Sequence, residues 1–153
     1  MTKTFNCRIL IFLTLVNSIV GCKKQDDTKS STSCKIICSG GESCTDQFET
    51  ISVRIETSDM APLKLDRYYT IREEGSILID MQTSATVTED SIRKAIGRYP
   101  ILNDTRMSLT DRCGKVFYFV GRKDSVEILK ERYVISNDCC HILLDTGRLE
   151  IVR

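Results

Sequence analysis

The sequence predicts a mainly β protein, an antiparallel β-sandwich of seven to eight strands with one short helix. Three observations carry this. Several short runs alternate apolar and polar residues with a period of two, the mark of a strand with one buried face. One run in the C-terminal third is apolar on both faces, as a central strand must be. Turn residues separate these runs at close spacing, as in sandwiches rather than in alternating β/α folds.

The first strand pattern is residues 50–57, where Ile51, Val53 and Ile55 alternate with Ser52, Arg54 and Glu56. Ser58-Asp59 is turn material, and Leu63 and Leu65 continue the alternation. Tyr68-Tyr69-Thr70-Ile71 is rich in strand formers. Glu74-Gly75 marks a turn, after which Ile77, Ile79 and Met81 alternate with Ser76, Leu78 and Asp80.

The helix is expected at residues 89–96. Thr88 is placed to cap it, Glu89 and Asp90 suit its first turn, and Gly97 suits its end. Ile92, Ala95 and Ile96 fall at i, i+3 and i+4, which makes one face apolar and predicts that Ile92 and Ile96 pack on the sandwich or plug one end of it. Pro100 prevents simple continuation. Strands then return. Residues 116–120, Val-Phe-Tyr-Phe-Val, read as the central strand, residues 121–125 as a polar turn, and residues 126–135 as a longer strand. Ser136-Asn137-Asp138 turns the chain into a strand at residues 139–144, and residues 149–152 are expected to return as the last strand of a hairpin.

Eight cysteines are the strongest compositional signal. Cys7 and Cys22 belong to the N-terminal region treated below. The remaining six are Cys34, Cys38, Cys44, Cys113, Cys139 and Cys140. An even set in an exported chain reads as disulfides. The pairing stays open, except that a bond between the neighbours Cys139 and Cys140 would strain the backbone. Residues 34–47 are rich in Cys, Ser and Gly, with Ile36 and Ile37 almost their only apolar residues. Such a loop cannot fold by burial alone. Disulfides are therefore expected to tie it to the strand carrying Cys139 and Cys140, with Cys113 consuming one of the six. On a strand those two neighbours would point to opposite faces.

The N-terminus explains the oxidising compartment. Lys3 and Arg8 precede an apolar run at residues 9–20, which ends in Ile19-Val20-Gly21-Cys22. This has the layout of a secretory signal and is too short to span a bilayer. Ile19-Val20-Gly21-Cys22 resembles the lipobox of bacterial lipoproteins. That resemblance implies cleavage after Gly21 and acylation of Cys22, several chains being needed for a stable anchor. The expected organisation is a signal peptide at 1–21, a lipidated cysteine with a flexible tether at 22–33, and one domain at 34–153. Residues 23–33 contain no apolar residue, so they cannot offset their ordering entropy by burial. As a coil they place their ends roughly 18 Å apart. Lys23-Lys24-Gln25-Asp26-Asp27 resembles the signal that sends lipoproteins of the Bacteroidota to the outer face of the outer membrane. An ordinary polar tether reads the same way. Phe48 to Ile55, a turn, and Ala61-Pro62-Leu63-Lys64-Leu65 are similar to the opening of transthyretin-like (carboxypeptidase-regulatory-like) β-sandwich modules, although their turn glycine is missing here. Residues 133–141 resemble uncharacterised lipoproteins of the Bacteroidota, a likeness that brings no activity with it.

Removal of Lys3 and Arg8 takes the formal charge from +1 to −1, which leaves no basic field for nucleic acid. No phosphate-cradling glycine loop and no Gly-x-Ser-x-Gly occur, and His141 is the sole histidine. Tyr68 or Tyr69 offers a ring for contact with a glycan or an envelope protein, set against the ordinary reading of both as strand residues. Cys139-Cys140-His141 is the one cluster with chemical potential. Disulfides are its first reading, a zinc site its second and a thiol-redox centre its third. The sequence thus points to a non-enzymatic, cofactor-free, lipid-anchored module of the cell envelope, for binding or envelope assembly. The alternative is a thiol-redox or zinc protein using Cys139, Cys140 and His141.

Overall fold

The computed structural model describes residues 43–153. The leader, Cys22, the tether, Cys34 and Cys38 lie outside the described residues. Eight strands and one α-helix follow in the order β1 (Thr50–Glu56), β2 (Arg67–Arg72), β3 (Ile77–Ile79), α1 (Val87–Ile96), β4 (Arg98–Asn103), β5 (Lys115–Lys123), β6 (Val126–Asn137), β7 (Ile142–Thr146) and β8 (Glu150–Val152). They form a three-stranded sheet, β4-β1-β8, and a five-stranded sheet, β3-β2-β5-β6-β7. The fold is a β-sandwich, as the sequence predicts.

The alternation read from the sequence sets the core. Val53 and Ile55 of β1, Tyr99 and Ile101 of β4 and Ile151 of β8 bring the small sheet's apolar side chains inward. Tyr68 of β2, Phe117 and Phe119 of β5, and Tyr133 and Ile135 of β6 answer from the large sheet. The Tyr68 and Tyr99 ring centroids are 4.9 Å apart, and each lies 6.4 Å from that of Phe119. Of the tyrosine pair proposed for contact, Tyr68 is therefore a core residue, and Tyr69 is half-buried. β5 is the central strand of its sheet.

Several elements differ from expectation, three of them strands. The run at residues 121–125 is not all turn. β5 continues through Gly121 to Lys123, because Gly121 lets Leu65 pack closely: a Cβ there would lie 2.8 Å from Leu65 Cδ1. The turn itself is Asp124-Ser125, both at positive φ, the geometry of a two-residue hairpin that matches strand twist. β4 is a strand that Pro100 conceals. Proline cannot donate to a ladder, but β4 is an edge strand, and Ile101 bulges at the register shift beside it. Finally, residues 149–152 do not return as a hairpin partner of β7. β8 crosses to the other sheet and pairs parallel with β1, Ile55 opposite Ile151.

Residues 61–65 are extended but joined to β1 by little ladder. Glu56 bridges Pro62, and the Leu63 N–H donates to Ile55 O. Met60, at φ 64°, takes the left-handed position that a turn glycine would otherwise fill.

The helix is present, two residues longer than expected, but its cap and its packing are both corrected. Thr86, not Thr88, is the N-cap. Its hydroxyl accepts from the Glu89 N–H, and the Glu89 carboxylate accepts from the Thr86 N–H, which makes a capping box. Gly97 ends the helix at φ 65°, where a Cβ would strike Ile55 O at 2.6 Å. Ile92 and Ile96 do not pack on the sandwich. They are 54% and 49% exposed, and Ala95 is exposed too. The helix presents its polar side inward instead. The buried Tyr68 hydroxyl needs partners, and it donates to Asp90 (3.0 Å) while accepting from Arg93 (3.1 Å). Arg93 also donates to Met81 O, and Asp90 accepts from Gln82. Thr86→Ala is therefore expected to cost about 1 kcal/mol in urea denaturation. Ile96→Ala should cost less than the roughly 2–5 kcal/mol of a buried site. A loss at Ile96 within the range of a buried site would refute this orientation of the helix.

Candidate functional site

The vicinal cysteines do not lie on a strand. Cys139 and Cys140 occupy the bend between β6 and β7, Cys139 at φ 81°. Side chains in and before the bend build it. Asn137 Oδ1 accepts from the Cys139 N–H (3.1 Å), and Asp138 Oδ1 accepts from the N–H groups of Cys140 (2.8 Å) and His141 (2.7 Å). These two backbone bonds hold the Asp138 carboxyl below its ordinary range. Asp and Asn favour such turns because their short side chains bond the backbone two residues on.

A disulfide joins Cys140 to Cys44, with Cα atoms 5.3 Å apart across 96 residues of sequence. The loop is thus fastened to the Cys139-Cys140 region as the sequence led us to expect. Cys113 and Cys139 are disulfide-bonded as well. With these sulfurs bonded, the Cys139-Cys140-His141 triplet offers no thiolate to zinc or to redox chemistry in this state. Among the described residues no group of three His, Cys, Asp or Glu side chains converges to hold a metal.

Beside the disulfide runs a polar chain. His141 Nδ1 lies 2.9 Å from Asp104 Oδ2, and His141 Nε2 lies 2.9 Å from the Thr45 hydroxyl. Asp104 also accepts from the Glu49 N–H (2.8 Å) and the Ile142 N–H (2.9 Å). The disulfide and these contacts form a clasp between the segment entering β1 and the β6–β7 bend. The chain has the connectivity of a hydroxyl, an imidazole and a carboxylate in a proton relay. The nearby N–H groups of Cys140 and His141, however, are taken by Asp138, so neither is directed at a substrate oxygen. The arrangement fastens the bend, and these two N–H groups are not available as oxyanion donors.

Its charge state is tunable. The hydrogen bond to Asp104 raises the His141 imidazole above its ordinary 6.5, burial opposing, with Asp104, Asp138 and Glu49 adding their charges. Burial works against ionisation of Asp104, yet the bonds from Glu49, His141 and Ile142 outweigh it and hold its carboxyl low. The His141 contribution to stability is therefore complete below about pH 6.5 and fades as pH rises through the raised folded value. The Asp104 contribution is complete above about pH 3.8 and is lost as pH falls through its lowered folded value. Because His141 is the sole histidine, its proton NMR titration is unambiguous. We expect a midpoint above 6.5 that falls towards 6.5 in Asp104→Asn. A wild-type midpoint at or below 6.5 would show that the contact does not persist in solution.

The clasp ends where a cleft begins. Glu49 is tied to Asp104 through both backbone and side chain, which sets Phe48 over the end of the small sheet. Phe48, Met81 and Pro100 line a cleft of about 440 Å³ together with Glu89, Arg93 and Arg106. The sequence offers little to reveal these residues. Asp104 lies 37 positions from His141 and Thr45 lies 96, so nothing local marks the clasp. Arg106 sits in a 3₁₀ turn, Asp104–Leu109, that carries no periodic pattern.

No protein-family model, curated protein or solved structure matches the chain.

Proposed function

We propose that the protein is an exported, lipid-anchored β-sandwich that acts as a non-enzymatic binding module of the cell envelope. One observation carries the compartment: Cys44, Cys113, Cys139 and Cys140 are all disulfide-bonded. Such a set persists in an oxidising environment and not in a reducing cytoplasm. The lipobox-like Ile19-Val20-Gly21-Cys22 supports attachment through Cys22, and the Bacteroidota-like tether supports the outer membrane as the destination. The cleft supports binding, with an envelope protein or a glycan as further candidate partners.

The test is metabolic labelling with a palmitate analogue in a Gram-negative host, followed by membrane fractionation and non-reducing peptide mapping. Wild type is expected to carry label, to sediment with outer membranes and to show no free thiol among Cys44, Cys113, Cys139 and Cys140. Cys22→Ala should lose the label and accumulate uncleaved. Labelling that survives Cys22→Ala, or two or more free thiols in wild type, would overturn the proposal.

A further inference from the structure

We infer that the cleft between Phe48 and the helix is a binding site for a small organic carboxylate with an apolar body. This names a ligand class for the binding role proposed above and rests on that role.

The walls are of three kinds, apolar, charged and neutral polar, the last being Thr50, Ser84, Asn103 and Thr105. Met81 and Pro100 are buried residues that supply the apolar part of the lining together with the Phe48 ring, which is 57% exposed. A large aromatic left in water gains by covering either face. Phe48 is not a loose surface residue, since the next residue is fixed twice to Asp104 (Glu49 N–H to Oδ2, Asp104 N–H to Glu49 O). The backbone that carries the ring is thus anchored beside the cleft before any ligand arrives, which lowers the ordering cost of binding.

The charged groups point to an anion. Arg106 is exposed and makes no ion pair with any described residue. Arg93 is half-buried, and its Nη1 is engaged by Tyr68 and Met81 O, so the guanidinium is held in one orientation, with Nη2 and Nε unengaged by any described residue. Glu89 is the single acid among the described lining residues. Its Oε2 is engaged by the N–H and hydroxyl of Thr86 in the capping box. Two guanidinium groups against one engaged carboxylate leave the cleft one positive charge in excess. Planar guanidinium groups match a carboxylate in geometry as well as in charge. The volume of about 440 Å³ falls within the range of small-molecule sites and is too small for a folded partner.

The experiment uses the lipidated full-length protein in lipid nanodiscs and fluorine NMR of 4-fluorophenylacetate, a soluble aromatic carboxylate. The neutral 4-fluorobenzyl alcohol and empty nanodiscs serve as comparisons. We expect saturable broadening of the carboxylate signal, with Kd below about 1 mM, and at least tenfold weaker binding of the alcohol. Arg106→Gln and Phe48→Ala, both changes of exposed side chains, should each weaken carboxylate binding tenfold or more while the His141 titration stays unchanged. Equal binding of acid and alcohol, or undiminished binding in Arg106→Gln, would overturn the proposal. Absence of binding in a protein that is lipidated and fully disulfide-bonded would overturn this ligand class while leaving the proposed anchoring intact.

Discussion

Removing the Cys44–Cys140 disulfide by the double change Cys44→Ser and Cys140→Ser is expected to cost about 2–4 kcal/mol of stability. The bond closes a loop of 96 residues in sequence separation. Chain-entropy arguments assign up to about 4.7 kcal/mol to a loop of that length in an otherwise unlinked chain. Here Cys113 and Cys139 are in disulfides too, so the unfolded chain is already restricted and the increment is smaller. The folded state loses as well, because Thr45, Glu49 and the β6–β7 bend are held together on the same side of the domain. Urea denaturation of wild type and the double variant measures this directly. A difference under about 0.5 kcal/mol would show that hydrogen bonds alone hold the clasp shut.

The second large effect lies at Tyr99. Its ring is fully buried against Tyr68 and Phe119, and its hydroxyl bonds the extended segment that runs beside β1. The hydroxyl accepts from the Leu65 N–H (2.9 Å) and donates to Leu63 O (2.8 Å). One side chain thus replaces the ladder that residues 63–65 largely lack. Burial pushes the phenol up to about 12, so it remains a donor at any physiological pH. Tyr99→Ala is expected to cost about 3–5 kcal/mol from the cavity. Tyr99→Phe keeps the ring but leaves a buried N–H and a carbonyl without their partner, and should cost about 1–3 kcal/mol. Hydrogen exchange at the Leu65 amide should accelerate in the Phe variant before global unfolding does. Unchanged exchange there would place the restraint on Leu65 elsewhere.

The strands whose signal is local were legible. The alternation of Ile51, Val53 and Ile55 set both the strand and its inward face, and the doubly apolar run around Phe117 and Phe119 marked the sheet centre. What failed depends on distant partners. Tyr99-Pro100-Ile101-Leu102 reads as a broken helix end because nothing in it says that a sheet edge is waiting. The apolar side of α1 looked like the packing side because the need for its polar side comes from Tyr68, some 25 residues away from Arg93. The cysteine count and the poverty of apolar residues near Cys44 pointed to covalent fastening, and the Cys44–Cys140 bond agrees. The bend that places Cys139 and Cys140 was misread as a strand, since Asp138 closes it by side-chain bonds rather than by any glycine. Arg106 and Phe48 meet only through tertiary contacts, so the cleft was invisible.

The parallel pairing of β8 with β1 has a consequence for how the molecule is made. β1 lies near the start of the described chain, yet one of its two neighbours is synthesised about a hundred residues later. Until Ile151 is available, Ile55 faces an incomplete sheet and the core is open on that side. Such distant pairing slows folding, because loop closure must precede the contacts that reward it. A nascent chain of this design can therefore complete the β4-β1-β8 sheet only after its last strand has been made.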